Sequence, residues 1–433
     1  MMNHSQNRSW WTAAALVGAA ALLVGCLKQG LTKDEVRDLV EVPPAIQQEL
    51  TELRAANERA GATFSIGFNP AMLKPVENLA GTVAPKDLAD RTVRQHAIGK
   101  EMFRLDIEAR DQFVGQAHLS SLDRLRILPE LLLVQCGANL ASWDWRRSGA
   151  VSPVKDQQCG NCWAYASAAA LESSNLIRNS WLLDVSEQYI VNCAVDNGGN
   201  DAGTCGGGWH EGVFEYMISH GVADEANLAD SGADAACDSH ISAPYRAIAW
   251  DYVATPASAT GFGDSIATVD SLKQALCEHG PLAVAVLATD NFQAYTGQPN
   301  EVFNEALPDS TLTYTWEGNH LKYHSINHDV LLIGWNDSKQ AWLIKNSWGT
   351  GWGTNAGVGA TTARGYMWIH YGTNNIGLGA AWVQAKHRAY RIPPIYLERF
   401  HPLVPFPDPG PLRFEDLNQR LMQGQGSSKG RSP

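Results

Sequence analysis

The fold can be read from one stretch, Cys159-Gly160-Asn161-Cys162-Trp163-Ala164-Tyr165-Ala166-Ser167-Ala168-Ala169-Ala170-Leu171-Glu172. From Trp163 onward it is rich in alanine and free of proline and β-branched residues, which predicts a helix. Cys162 opens that helix. A thiol at the positive end of a helix has its thiolate stabilised, so the position suits a nucleophile. Two later segments offer partners for it. His328 stands at the start of an apolar run that reads as a strand, and an imidazole carried to the thiolate would pair with it. Lys345-Asn346-Ser347-Trp348-Gly349 follows another strand. There the Asn346 amide would accept from the imidazole N–H and the Trp348 indole would shield that bond from water. Taken singly, each feature is an ordinary structural one: a buried cysteine, a hydrogen-bonded histidine, a capping asparagine.

Working outward, residues 282–287, 330–335, 341–344 and 365–371 read as strands. Helices lead and strands follow, which predicts an α+β class with a helical lobe, an antiparallel barrel-like lobe and a cleft between them. Upstream, residues 32–62 are charged and helix-favouring, broken at Pro43-Pro44, with Thr32 and Glu35 spaced as a capping box. Residues 63–69 alternate and read as a strand ending in a turn, and residues 87–128 are again helix-compatible. Beyond residue 384 the chain is proline-rich and then Gly/Ser-rich, as an extended tail with a disordered end would be. The chain therefore divides into 1–26, 27–139, 140–384 and 385–433.

Thirty-three basic residues against 45 acidic ones give a net charge of −12, which excludes a phosphate-tracking surface and so a nucleic-acid partner. Residues 1–26 read as a secretory signal whose Leu23-Val24-Gly25-Cys26 ending resembles a bacterial lipobox. Acylation of Cys26 would anchor the chain to a membrane; a plainly cleaved signal or an uncleaved anchor helix are the alternatives. Leu27 lacks the aspartate of an inner-membrane retention signal. The expected address is thus the outer membrane, the periplasm or the exterior of a Gram-negative bacterium, where disulfides persist.

The letters around the three segments resemble the papain family of cysteine peptidases. Ser142-Trp143-Asp144-Trp145, Gly149-Ala150-Val151-Ser152-Pro153-Val154-Lys155-Asp156-Gln157, Ser186-Glu187-Gln188-Tyr189, Cys205-Gly206-Gly207-Gly208 and Ile344 to Gly353 carry the likeness, in the family's order. The resemblance implies a two-lobe fold, Cys162 as nucleophile, His328 as base and acid, Asn346 as orienter and a glutamine as oxyanion donor. Gln157 follows Val-Lys-Asp as the family's glutamine does, but the loop to Cys159 is one residue short and Gln158 stays open as the alternative. It also implies disulfides Cys159–Cys205 and Cys193–Cys237, and leaves Cys136 and Cys277 unpaired, with a bridge between them open but not one the family has. Substrate contacts fall by resemblance on Gly207, Gly208, Trp209, His210, Ala285, Ile326 and Ala381, and imply a bulky apolar or aromatic residue two places before the cut. Asp329 stands where the family has a small residue; strand alternation would turn it to solvent, and the alternative is that it approaches the His328 ring and competes with Cys162 for the imidazolium.

Phe64-Ser65-Ile66-Gly67-Phe68-Asn69-Pro70 and Leu79-Ala80-Gly81 resemble the family's inhibitory propeptides. The implied partners are peptide substrates and the chain's own leader, with processing near residues 136–142, a monomeric state and no cofactor. His320, His324 and His328 recur every four residues, but the residues between them read as a loop rather than a helical metal face, so no metal is expected. A catalytically poor binding module and an amide-transferring enzyme are the rival readings.

Overall fold

The computed structural model describes residues 42–116, 136–253, 266–307, 314–317, 320–323, 326–357 and 364–390. Thr32, Glu35, Cys26 and the C-terminal tail from residue 391 lie outside them. Helix α1 spans Pro44–Ala60. It begins at the proline rather than breaking there, because the fixed φ of proline suits a first helical turn that needs no N–H. Residues 63–69 form no strand. Ile66 makes an isolated antiparallel bridge to Tyr295, and the Asn69 side chain then caps a 3-10 turn over Pro70–Leu73. Helix α2 spans Leu88–Gln116.

After β1 (Ser142–Asp144) the predicted alanine-rich helix appears as α3, Cys162–Asn179. It is buried almost throughout, because small alanine side chains let it enter the middle of the molecule. Helix α4 (Glu187–Cys193), the short strands β2 (Gly203–Thr204) and β3 (Gly207–Gly208), and α5 (His210–Ser219) complete the helical lobe.

The second lobe is a sheet built from β4 (Ala247–Tyr252), β5 (Leu282–Val286), β6 (Val302–Phe303), β9 (His328–Asn336), β10 (Ala341–Lys345), β11 (Tyr366–His370) and β12 (Leu378–Ala385), flanked by α6 (Val269–His279) and α7 (Asp290–Gln293). Its order is β4-β12-β5-β9-β10-β11-β6, with β1 added to β9. Every pairing is antiparallel except β11 with β6, which run parallel. Strand β7 (Tyr314–Glu317) and strand β8 (His320–Tyr323) form a separate ribbon, so His320 lies in a strand rather than a loop; His324 falls outside the described residues. Helix α3 packs on β9, β12 and β5, so the two lobes meet along its length and the cleft opens at its first residue.

Disulfides join Cys159 to Cys205 and Cys193 to Cys237 around the start of α3 and the end of α4. A third joins Cys136 to Cys277 of α6, tying the end of the leader to the catalytic half. Among the described residues no helix is long and apolar enough to cross a membrane.

Candidate active site

Cys162 is the first residue of α3 and fully buried. Its Sγ lies 3.2 Å from Thr82 Oγ1 of the leader. Burial, and then the Asp329 carboxylate, push the thiol up to about 11, against the hydrogen bonding from Thr82. It is therefore a neutral thiol at physiological pH.

His328 opens β9 and is likewise fully buried. Its Nε2 lies 2.7 Å from Asn346 Oδ1, which also accepts from the Ser347 backbone N–H at 2.8 Å. A backbone N–H can only donate, so that amide atom is the oxygen and Nε2 carries the ring proton. The lone pair of the neutral ring is then on Nδ1, which has no hydrogen-bond partner among the described residues. Burial brings the imidazole down to about 4; the bond to Asn346 and the Asp329 charge oppose this. Trp348 sits with its ring centroid 4.6 Å from that of His328, and Phe292 closes the other side at 6.1 Å. These rings exclude water from the His328–Asn346 bond, which strengthens it.

Gln157 and Gln158 part company here. Gln157 is fully buried; its Nε2 donates to the Leu79 carbonyl oxygen at 2.8 Å and to the Cys159 carbonyl at 2.7 Å. Ser347 Oγ donates to Gln157 Oε1 at 2.6 Å, which fixes the amide with its N–H₂ toward the cleft. Gln158 is exposed, donates back to the Asp156 carbonyl and accepts from Lys74 Nζ. Nothing in the letters of Ser347 announced this second role, beyond its place between Asn346 and Trp348.

The leader passes straight through this cleft. Thr82 forms a parallel bridge to Gly208: Gly208 N–H donates to the Gly81 carbonyl and Val83 N–H to the Gly208 carbonyl, each at 2.9 Å. Thr82 N–H donates to the Asn327 carbonyl at 2.8 Å. A Cβ at Gly81 would stand 1.9 Å from the Gly160 carbonyl oxygen, so only glycine passes at that point.

Trp209, His210, Ala285, Ile326 and Ala381 are all buried, four of them in one apolar cluster. Trp209 lies 4.2 Å from the His210 ring and donates from Nε1 to Tyr252 Oη. Asp329 corrects the expectation of a solvent-facing side chain: it is fully buried, and its Oδ2 is 3.0 Å from His210 Nδ1. The alternation holds, but both faces of β9 are covered, one of them by α3, so neither reaches water. His210 Nε2 faces the Gly379 carbonyl oxygen at 2.9 Å, which can only accept. The His210–Asp329 contact is buried on both sides. It ties the helical lobe to the strand that carries His328. Among the described residues, no three His, Cys, Asp or Glu side chains gather as a metal site.

With the leader out of the way, this arrangement would leave a thiol at a helix start, an imidazole in a defined tautomer and a fixed amide donor around one carbonyl-sized space. Residues 140–384 match the family model described as papain family cysteine protease. The chain is 33% identical over 219 residues to cysteine proteinase 2 of Entamoeba histolytica, covering 49% of this chain and 60% of that protein. It is 30% identical over 303 residues to cysteine proteinase 15A of Pisum sativum, covering 66% of this chain and 72% of that one. The chain thus spans about 60% of the length of the first of these relatives. A digestive procathepsin L2 proteinase from Tenebrio molitor larval midgut shares the fold, with a TM-score of 0.51 and 24% identity over 78% of this chain and 90% of that chain.

Proposed function

The chain belongs to the papain family of cysteine proteases, and from that premise we propose that it is an endopeptidase made as an inactive precursor, cutting peptide bonds through Cys162, His328 and Asn346. The observation that carries this reading is the occupied cleft. Leu79 offers its carbonyl to Gln157, and Thr82 covers the thiol. The leader pairs with Gly208 in parallel, opposite to the antiparallel sense we assign to a substrate, so its bonds are not presented for attack.

Once the leader leaves, water and the neighbouring imidazole lower the cost of ionising Cys162, and the proton passes to His328 Nδ1. The thiolate attacks the substrate carbonyl carbon. The oxygen takes the negative charge, met by Gln157 Nε2 and the Cys162 backbone N–H. His328 then gives its proton to the leaving nitrogen, the C–N bond breaks, and an acyl thioester remains on Cys162. Water attacks that thioester with His328 as base, which releases a carboxylic acid and restores the thiol. Asn346 is an orienter throughout; no metal or cofactor enters the steps.

We assign the substrate side chain two places before the cut to the wall made by Trp209, His210, Ala285, Ile326 and Ala381, with Gly207 and Gly208 as backbone anchors. Trp209, Ala285, Ile326 and Ala381 make that wall apolar, so it favours a bulky apolar or aromatic group. On our reading of residues 1–26 as an export signal ending at Cys26, the precursor is secreted or lipid-anchored and acts as a monomer on protein substrates. The test is hydrolysis of a fluorogenic peptide with phenylalanine or leucine at that position, after leader removal and in reductant. Cleavage by wild type and none by Cys162→Ala or His328→Ala is expected. Equal rates in wild type and Cys162→Ala would overturn the reading.

A further inference from the structure

The leader is not one body. Its first part, from α1 through Val83, sets Ile46, Leu50 and Met72 against Ala294, bonds Asn69 to Gln293 and Ser65 to Glu301, and sends Phe64, Ala71 and Leu79 into the main core, Phe64 lying 4.5 Å from Phe303. Helix α2 shares that core and adds contact with the sheet backbone and a buried ion pair. Its Met102 and Leu105 belong to the main core of the catalytic half, and Phe103 packs 4.6 Å from His279 and 5.6 Å from Trp382. At Gly99 the helix backbone touches β4: a Cβ there would stand 2.4 Å from the Trp250 carbonyl oxygen. Gln95 Nε2 donates to that same carbonyl at 2.6 Å, and His96 pairs with Asp251 at 2.8 Å. Asp106 forms an ion pair with Arg178 of α3 at 2.8 Å, both side chains buried.

We propose that α2 is a permanent wall of the catalytic unit, and that the activating cut falls in the connection at residues 83–87 instead of near residue 140. Losing α2 would bare the β4 backbone, take the Asp106 carboxylate from Arg178, leaving it the neutral Gln384 and Tyr390 groups, and take the His96 ring from buried Asp251, which the fold resists. A cut beyond Cys136 would release nothing in any case, since Cys136 stays bonded to Cys277. By contrast Val83 is 61% exposed and Lys86 is exposed, so a second protease molecule can reach this extended link. Hydrolysis there consumes one water, leaving a carboxylate on the leader and an amine on the catalytic piece. The leader is then held by the contacts of α1, residues 64–79 and the cleft segment, with no covalent link to the catalytic piece. This rests on residues 64–84 being the inhibitory segment.

The test uses the full chain carrying Cys162→Ala, so that it does not depend on catalysis. Recognition sites for a sequence-specific protease are inserted between Ala84 and Pro85 and between Asn139 and Leu140. Both are cut, Cys136–Cys277 is reduced, and native mass spectrometry follows which piece leaves as urea rises. The 1–84 piece is expected to leave first, with 85–139 still bound to 140–433. Loss of 85–139 first, or of both pieces together, would overturn the proposal. A failure to hydrolyse peptides in the wild type would count against the enzyme reading alone.

Discussion

The carbonyl oxygen of Leu79 accepts a hydrogen bond from Gln157 Nε2 at 2.8 Å, with Ser347 Oγ holding the far side of the same amide at 2.6 Å. An inhibitory segment thus places an uncharged oxygen on the donor that we assign to a charged one. On the proposed mechanism Gln157 would act on charge developing in the transition state, whereas Gln158 is turned out toward Lys74.

For Gln157→Ala, kcat is expected to fall by about 10²–10³ with KM little changed, as for loss of one oxyanion donor. Gln158→Ala should stay within about twofold of wild type. Steady-state kinetics on the leader-free enzyme check both, and the reverse ranking would move the role to Gln158.

Ser347→Ala leaves Gln157 in place but unanchored. The lost bond is worth about 1 kcal/mol, so kcat should drop roughly five- to tenfold. Double mutation with Gln157→Ala should add little, because the serine acts only through the glutamine.

The precursor thiol is held neutral, pushed up to about 11 by its burial. At pH 7 only about 10⁻⁴ of it would be thiolate, so iodoacetamide should modify Cys162 in the intact precursor at least a hundredfold more slowly than after leader removal. Rate measurements from pH 5 to 8 on both forms test this.

Acid should loosen the closed form. His328, buried and brought down to about 4, binds its proton in the unfolded chain from about pH 6.5 but in the folded one only near pH 4. Its contribution is fully present above pH 6.5, amounts to about 3 kcal/mol, and is lost as pH falls through 4. His279, brought down to about 3 by burial, acts in the same direction. The urea midpoint of the Cys162→Ala precursor should therefore fall between pH 6.5 and 4, and less steeply in His328→Gln. An unchanged slope would show that another group governs it.

Cys136→Ser with Cys277→Ser opens a loop of 141 residues. Stability of the precursor should fall by about 2–4 kcal/mol, read as a lower denaturant midpoint under non-reducing conditions.

The site was legible where local sequence and local geometry coincide. The α3 helix follows from its alanines, and the order of Cys162, His328 and Asn346 matches a family pattern that survives without alignment of the rest. Strands β4 and β12 were not foreseen, because Leu378-Gly379-Ala380-Ala381 carries neither alternation nor β-branching and becomes a strand only by pairing on both sides. Asp329 was misplaced for a related reason: alternation tells which residues share a face, and only tertiary packing tells whether that face is wet. The Cys136–Cys277 bond joins residues too far apart in sequence for spacing to pair them. The docking of α2 on β4 turns on Gly99, a residue that a helix pattern reads as a weakness.

The most direct test is to trap the acyl-enzyme. Leader-free wild type is mixed with an activated ester of a short phenylalanine-containing peptide, quenched in acid within milliseconds, and weighed intact before peptide mapping. One acyl group on the peptide bearing Cys162, absent from Cys162→Ala and decaying at the rate of turnover, is the expected result. Turnover with no adduct, or with the acyl group on another residue, would contradict nucleophilic catalysis by Cys162.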